Sequence, residues 1–135
     1  MAKSVRSITQ KAVIAAPPEQ VYRALVQARV HATFTGGAAT GAARVGGKFT
    51  AWDGYILGVH RVLVPGERVV QDWWTTEWPD GAEPSQVEWT LSPARSGGTT
   101  LTLRHTGVPA SQADALRQGW IDFYWTPLKA YFSGR

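Results

Sequence analysis

The segment RQGWIDFYWTPLKAYF (117–132) carries more apolar surface than one face of a helix can hold. Six of its sixteen residues are aromatic. At about 100° per residue, the apolar residues from 113 onward fall on two neighbouring stripes. The first stripe comprises Ala113, Leu116, Trp120, Phe123, Tyr124, Pro127 and Tyr131, and the second comprises Ile121, Trp125, Leu128 and Phe132. Together they span about 200°, roughly twice the usual apolar face, so we predict a helix from Ser111 to about Phe132 with two neighbours.

Each stripe of this helix needs its own covering surface. One stripe fits a sheet, and the second fits the first helices, a partner protein or a second copy of the chain. We therefore treat Ile121, Trp125, Leu128 and Phe132 as a candidate interface, and Trp78 and Trp125 as candidate exposed aromatics. Pro127 cannot donate a backbone hydrogen bond and its ring clashes with the Phe123 carbonyl, so we expect a bend there. A bend leaves room for a cavity, whereas close packing would give a solid core.

The rest of the chain predicts the sheet that this helix covers. Alternation of apolar and polar residues over 4–16 indicates a strand. Two short helices are predicted next, at PPEQVYRALV (17–26) and ARVHATF (28–34). Five strand-like segments then fill most of residues 46–108. The segments are separated by the turn signals Asp53-Gly54, Pro65-Gly66, Pro79-Asp80-Gly81 and Gly97-Gly98. The Gly/Ala-rich stretch 35–47 reads as a loop or a weak edge strand. The order predicts an α+β fold in a single domain over residues 1–135.

The amino-acid composition excludes several classes of function for this protein. The chain has 135 residues, 44% of them hydrophobic and 18% charged, as expected of a globular domain. The absence of cysteine excludes disulfides and thiol chemistry. The net charge of +4 comes from scattered arginines, so we expect a mildly basic surface and no nucleic-acid partner. Without a signal-like or membrane-spanning run, we expect a cytoplasmic protein that does not enter a membrane.

Catalytic and metal signatures are weak. The three histidines show no metal-binding spacing, although His60 and His105 could meet Asp53 or Asp72 in space. The sequence contains neither a G-x-S-x-G nucleophile motif nor a phosphate-binding loop. We therefore assign no catalytic residue and expect no metal and no cofactor.

Three segments carry a family resemblance. HTGVPASQADALRQGWIDFYWTPLKAYF (105–132), GGKFTAWDGYILG (46–58) and LVPGERVVQDWW (63–74) resemble the C-terminal-domain-like members of the family that activates the heat-shock protein 90 ATPase. That family is a branch of the SRPBCC/START-like superfamily, which is similar to Bet v 1. The resemblance implies a helix-grip fold: a strand, two short helices, six more strands and a long C-terminal helix held by the curved sheet. Eukaryotic activators also carry an N-terminal domain that makes the main chaperone contact, and this chain has no room for one.

The resemblance also implies where a ligand would lie. The superfamily commonly holds hydrophobic small molecules between the sheet and the long helix. By position, the lining candidates are Phe49, Trp73, Trp89, Leu103, Trp120, Phe123 and Tyr124, with Asp53 and His60 as polar anchors. Choosing Trp73 rather than Trp74 as the inward residue is an expectation, because the surrounding segment does not alternate cleanly.

Three functional hypotheses follow from the sequence. The first is a non-catalytic domain that binds a hydrophobic small molecule, a protein partner such as a chaperone, or both, in a stress-related setting. The second is a small-molecule cyclase or hydrolase that uses the same cavity with Asp53 or His60 as acid or base. The third is an interaction module whose cavity is filled by its own tryptophans. Monomer and homodimer both stay open.

Overall fold

The elements follow the predicted order. The computed structural model describes residues 5–78 and 83–133, so the predicted turn Pro79-Asp80-Gly81 lies outside the described residues. The strands are β1 (Val5–Ile14), β2 (Thr40–Gly41), β3 (Lys48–Ala51), β4 (Ile56–Val64), β5 (Arg68–Thr75), β6 (Ser85–Pro93) and β7 (Thr99–Pro109). The helices α1 (Pro18–Val26) and α2 (Ala28–Thr35) follow β1. After a 3₁₀ turn at Ala110–Gln112, the C-terminal helix comprises α3 (Ala113–Trp120), a π-helical turn (Ile121–Trp125) and α4 (Thr126–Ser133).

All seven strands form one antiparallel sheet in the order β1-β7-β6-β5-β4-β3-β2. Irregular pairing occurs in β1 between Arg6 and Ile8 and in β4 between His60 and Val62. Such bulges bend and twist a sheet, which allows this one to curve around the C-terminal helix. The predicted α+β helix-grip fold is confirmed.

Residue alternation decides which face of the sheet is dry. Trp89 on β6 and Leu103 on β7 are paired across the strands and both point into the core. Trp73 is buried whereas Trp74 is half-buried, so the inward orientation predicted for Trp73 is confirmed. The outer face carries the ion pairs Arg61–Asp72 and Arg68–Glu88, each 2.6 Å. These partly exposed pairs contribute at most about 1 kcal/mol each.

The first two helices close one end of the sheet. Pro18 occupies the first turn of α1, where its missing N–H leaves no intrahelical bond unmade, and Glu19 complements the helix dipole. Gly36 ends α2 with a φ of 83°, a left-handed conformation that glycine adopts without a Cβ penalty. Buried residues of α1 and α2 join the same core as the sheet. Within the described residues, no helix is both long and apolar enough to cross a membrane.

The irregularity predicted at Pro127 lies one turn before it. The N–H of Thr126 bonds to the carbonyl of Ile121, five residues back, in the π-helical turn. Pro127 has no N–H to donate and its ring would crowd the Phe123 carbonyl in a regular helix. The wider π-helical turn gives that carbonyl room, so the disruption appears in the residues preceding the proline.

The second apolar stripe is covered from within the molecule. Leu128 is completely buried, and Trp125 is 5% exposed. The Trp125 indole N–H donates to Oε1 of Gln10 at 2.7 Å, which ties the helix to β1. The candidate interface is therefore wrong at Trp125 and Leu128; Ile121 is exposed and Phe132 is half-buried. Trp78 is also buried, against Trp73, so the prediction of an exposed Trp78 is wrong.

Candidate functional site: an aromatic groove beside a filled core

The space between the sheet and the C-terminal helix is almost completely filled. A partly open cavity of about 30 Å³ is left, roughly the room needed for a single water molecule. Most of the predicted cavity residues line it, namely Phe49, His60, Trp73, Trp89, Trp120 and Tyr124. Leu103 is completely buried and does not line it, because the strands and helices pack directly on its side chain.

Aromatic rings from opposite sides fill this interior. Trp73 and Trp89 rise from the sheet, and their rings lie 5.3 and 5.6 Å from that of Trp120 on the helix. Tyr124, one turn further along the helix, packs on Trp120 at 4.8 Å. Offset and edge-to-face contacts of this kind add to the apolar area that each ring buries. The interior therefore matches the hypothesis that the protein's own tryptophans fill the cavity.

A second, much larger space opens on the other side of the same rings. This aromatic groove has a volume of about 470 Å³ and lies between the β3–β4 turn, the end of β5 and the C-terminal helix. Its lining consists of Trp52, Tyr55, Ile56, Trp73, Glu77, Gln112, Ala115, Leu116, Gly119, Trp120, Phe123 and Tyr124. Trp73, Trp120 and Tyr124 line both spaces and so separate them. Phe123, expected inside the cavity, is 52% exposed and lies in the groove.

The β3–β4 turn supplies one wall of the aromatic groove. Trp52 and Asp53 adopt left-handed conformations with φ of 52° and 59°, which are unusual for residues other than glycine. The Trp52 ring meets Phe123 edge-on at 5.2 Å. On its other side it lies against Gly37, where a Cβ would come within 2.7 Å of Cε3. Gly37 therefore makes room for the ring that forms this wall.

Asp53 fixes that turn and does not reach the cavity. Its side-chain Oδ1 accepts the N–H of Ala38 at 2.9 Å, and its own N–H donates to the Ala38 carbonyl at 2.9 Å. The residue is exposed. The prediction that Asp53 anchors a ligand inside the cavity is wrong, because its carboxylate is used to hold the loop.

A carboxylate lies at the rim of the aromatic groove. Glu77 follows β5, and its Oε1 accepts the hydroxyl proton of Tyr55 at 2.7 Å. Burial and the hydrogen bond to Glu77 raise the pKa of Tyr55, so the hydroxyl stays protonated and donating. Sequence patterns did not indicate Trp52, Tyr55 or Glu77, because all three lie in turns outside any periodic segment.

His60 lies inside the protein, as expected, but in the small cavity. Its ring stacks on Phe49 at 4.8 Å, and Nδ1 lies 3.5 Å from Nε2 of Gln71. Burial lowers the pKa of His60, so the ring is neutral near pH 7. Because the remaining space is about one water molecule wide, His60 has no room to act on a substrate there.

His105 forms a closed hydrogen-bond network that resembles a catalytic pair. Its Nδ1 accepts the indole N–H of Trp120 at 3.1 Å, so the proton of the neutral ring is on Nε2. That proton is donated to Ser85 Oγ at 2.6 Å, and Ser85 donates to the Trp73 carbonyl at 2.7 Å. Burial lowers the pKa of His105 to about 3. Nε2 already carries a proton, so His105 is not placed to take one from Ser85, and the pair does not form an activated nucleophile.

His31 and Tyr124 form a second buried pair. The Tyr124 hydroxyl lies 2.8 Å from Nε2 of His31. Burial lowers the pKa of His31 to about 4 and raises the pKa of Tyr124, so both groups are neutral at pH 7. Among the described residues, no group of three His, Asp or Glu side chains lies close enough together to hold a metal ion.

Comparison with known protein families shows which family shares this sequence. The family model described as Activator of Hsp90 ATPase homolog 1-like protein matches residues 15–133. The chain belongs to this family. The human Activator of 90 kDa heat shock protein ATPase homolog 1 is 33% identical over 125 residues, which cover 93% of this chain and 36% of the human protein. The chain thus spans about a third of the length of that relative, and the predicted family resemblance is confirmed.

Solved structures of similar fold include family members from distant organisms. An HSP90 activator from Plasmodium falciparum, PFC0360w, superposes with a TM-score of 0.84 at 23% identity, covering 96% of each chain. The Aha1 dimer from Colwellia psychrerythraea superposes with a TM-score of 0.80 at 17% identity, covering 96% of this chain and 98% of that one. At these identities, the likeness establishes a shared fold.

Proposed function

We propose that this chain is a non-catalytic, cytoplasmic binding domain that holds a hydrophobic small molecule in the aromatic groove. The observation that carries the proposal is the groove itself, about 470 Å³ and lined mainly by aromatic side chains. Small-molecule sites have volumes of roughly 300–1,000 Å³ and are mostly apolar with a few polar groups. The small cavity of about 30 Å³ is too small for such a ligand.

Two exposed features of the aromatic groove support this assignment. Phe123 remains 52% exposed, whereas Trp120 and Tyr124, which line the same groove, are buried. Exposed aromatic surface in a concave site often marks binding, because its removal from water favours a complex. Trp52 forms the opposite wall from a left-handed backbone conformation, which costs about 1 kcal/mol or more. A wall held in a strained turn is consistent with selection for the shape of the groove.

Gly119 gives a further argument from the floor of the groove. A glycine in a helix interior costs about 1 kcal/mol relative to alanine. A Cβ at Gly119 would meet only Phe123 Cδ2, at 3.8 Å, which is an ordinary contact. Neither packing nor helix geometry therefore requires glycine at this position. A side chain there would occupy the groove, so glycine keeps the space open.

The titratable groups favour binding over catalysis. A cyclase or hydrolase needs an acid or base whose pKa lies near the operating pH. Burial lowers the pKa of His31, His60 and His105, and their rings lie against the filled core or its small cavity. The described lining residues of the groove include Glu77 but no His, Asp, Lys or Arg. The raised pKa values of Tyr55 and Tyr124 place both lining tyrosines far from pH 7.

The proposal is tested by native mass spectrometry of the protein purified from its own cells, followed by denaturing release. We expect a defined small molecule on the wild type. Gly119→Leu fills the groove and should carry less than about a tenth of that amount. Ala130→Leu is the matched control, since Ala130 is exposed on α4 and lies outside the groove. An empty wild-type protein, or equal loading of Gly119→Leu, would contradict the proposal.

A second candidate function is contact with a chaperone of the heat-shock protein 90 class in a stress-related role. The family match and the activators among the relatives favour it. The test is an ATPase assay of purified heat-shock protein 90 with and without this chain, alongside a binding titration. Saturable binding with a changed ATPase rate supports the role, and the absence of binding removes it. The same native mass spectra separate a monomer from a homodimer.

A further inference from the structure

The charge of the aromatic groove differs from that of the whole chain. The protein carries a net charge of +4. Among the described residues that line the groove, Glu77 is the only charged one. Six aromatic residues share the lining with it, namely Trp52, Tyr55, Trp73, Trp120, Phe123 and Tyr124. The groove therefore combines one negative charge with an aromatic wall in a protein that is positive overall.

Glu77 is held in place by both its backbone and its side chain. Its N–H donates to Thr75 Oγ1 at 3.2 Å, and the N–H of Thr76 donates to the Tyr55 carbonyl at 3.0 Å, so the two turns are tied together. Its Oε1 accepts the Tyr55 hydroxyl at 2.7 Å. Within residues 5–78 and 83–133, Oε2 makes no hydrogen bond or ion pair. The carboxylate is oriented and retains an oxygen for a further donor.

An oriented carboxylate beside aromatic rings has a defined chemical preference. The negative faces of aromatic rings attract a cation within about 6 Å of the ring centre, and the attraction increases when water is excluded. A carboxylate oxygen forms its strongest hydrogen bonds with charged N–H donors. An anionic head group would be repelled by Glu77. A neutral hydroxyl could donate to the carboxylate but would gain neither the attraction between opposite charges nor the attraction of a cation to the rings.

We propose that the aromatic groove selects a hydrophobic organic cation, a small molecule with an apolar body and a protonated amine. The ammonium group donates to Glu77 Oε2 at the rim. The apolar body lies on the groove floor formed by Leu116, Gly119 and Trp120, beside the contacting rings of Trp52 and Phe123. This inference rests on the proposed function, since it names the ligand class for the same groove.

The test uses three probes that share one ring system. Isothermal titration calorimetry measures binding of 1-naphthylmethylamine, 1-naphthalenemethanol and 1-naphthoic acid, which carry a cationic, a neutral and an anionic head group. We expect the amine to bind about tenfold more tightly than the alcohol, and the acid to bind most weakly. Raising the salt concentration should reduce the difference between the amine and the alcohol, because it screens the charge of Glu77.

Two variants test whether the charge of Glu77 causes the preference for the amine over the alcohol. Glu77→Gln keeps the size and an acceptor for Tyr55 but removes the charge, so the amine should fall to within about threefold of the alcohol. Tyr55→Phe keeps the charge but removes the hydroxyl that orients the carboxylate, so the amine preference should shrink and still exceed that of Glu77→Gln. Both residues are exposed, and thermal unfolding checks that each variant folds as the wild type does.

The outcomes separate the two proposals. Equal binding of the amine and the alcohol to the wild type overturns the selection for cations and leaves a neutral hydrophobic site. An amine preference that survives in Glu77→Gln overturns the role of Glu77. If none of the three probes binds, the groove is not a hydrophobic ligand site and both proposals fall. If Gly119→Leu binds the probes like the wild type, they bind elsewhere and the inference is likewise overturned.

Discussion

The filled interior and the aromatic groove share three residues, Trp73, Trp120 and Tyr124, and differ in what faces those rings. On the inner side, Trp89 and His105 fill the space, and His105 Nδ1 accepts the indole N–H of Trp120. On the outer side, the helix presents the small residues Ala115 and Gly119, and the Trp52 ring contacts the helix at Phe123. The same rings thus serve as core on one side and as the wall of a candidate site on the other. The volume of the neighbouring side chains decides whether a side of these rings is buried in the core or open to the groove.

The largest expected effect is a difference in unfolding free energy between a variant in the filled interior and a variant in the aromatic groove. Trp120→Ala removes a ring that fills the core and leaves Nδ1 of His105 without its donor, so we expect a loss of roughly 3–5 kcal/mol in the free energy of unfolding. Phe123→Ala removes an aromatic ring on the same helix that is half-exposed in the groove, and should cost less than about half of that. Urea denaturation monitored by circular dichroism measures both. Equal losses would contradict a filled core beside an open groove.

The buried histidines should make stability depend on pH. Burial lowers the pKa of His31 to about 4 and that of His105 to about 3, whereas an unfolded chain has His pKa values near 6.5. Below about pH 6.5 the unfolded state therefore binds more protons, so stability falls as the pH falls towards the folded-state values. Between pH 6.5 and 5 the loss should be about 2 kcal/mol per histidine.

Denaturation at a series of pH values, with His31→Gln and His105→Gln as comparisons, tests this dependence. Burial lowers the pKa of three histidines, His31, His60 and His105. Each variant lacks one of them, so each should reduce the pH slope in that window by roughly a third to a half. A wild-type stability that is flat between pH 6.5 and 5 would mean that the histidines are not held neutral by burial.

A smaller effect distinguishes a structural network from a catalytic one. Ser85→Ala leaves the Nε2 proton of His105 without an acceptor, and an unsatisfied buried donor costs about 1–3 kcal/mol. Ser92→Ala on the same strand is exposed and should change stability by less than about 0.5 kcal/mol. Thermal unfolding compares the two. Undiminished stability in Ser85→Ala would show that the hydrogen bond is not needed to hold the core.

The smallest expected effect has the opposite sign. Gly119→Ala should stabilise the protein by about 0.5–1 kcal/mol, since alanine favours the helix and its Cβ meets only an ordinary contact. The added methyl group also narrows the aromatic groove, so ligand loading should fall. Calorimetric unfolding and native mass spectrometry on one preparation measure both quantities. A stabilised variant with undiminished loading would mean that glycine is not kept for the groove.

Sequence patterns predicted the regular elements well. Strict alternation in β6 and β7 matched their buried and exposed faces, and the double stripe predicted the C-terminal helix correctly. The segments quoted for the family resemblance led to the correct family and fold. Six of the predicted lining residues surround the small cavity, because inward residues of a sheet and of its covering helix must meet.

The candidate site was predicted only in part. Four of the predicted lining residues, Trp73, Trp120, Phe123 and Tyr124, line the aromatic groove, and the last three belong to the periodic C-terminal helix. Trp52, Tyr55 and Glu77 lie in turns, where no periodicity indicates which way a side chain points. Trp125 and Leu128 were assigned to a candidate interface because a 200° apolar arc does not say which neighbour covers it; β1 and the core cover both.

The sequence by itself therefore determined the element order, the dry face of the sheet, the long apolar helix and the family. These features depend on the spacing of apolar residues along the chain, because the local backbone geometry sets which residues share a face of a helix or strand. Only the tertiary structure decided that the interior is filled, that the open space lies outside the Trp73–Trp120 partition, and that Glu77 stands at its rim. Those features depend on how side chains from distant segments pack against one another. Because protein interiors are closely packed, this packing is determined only in the assembled fold.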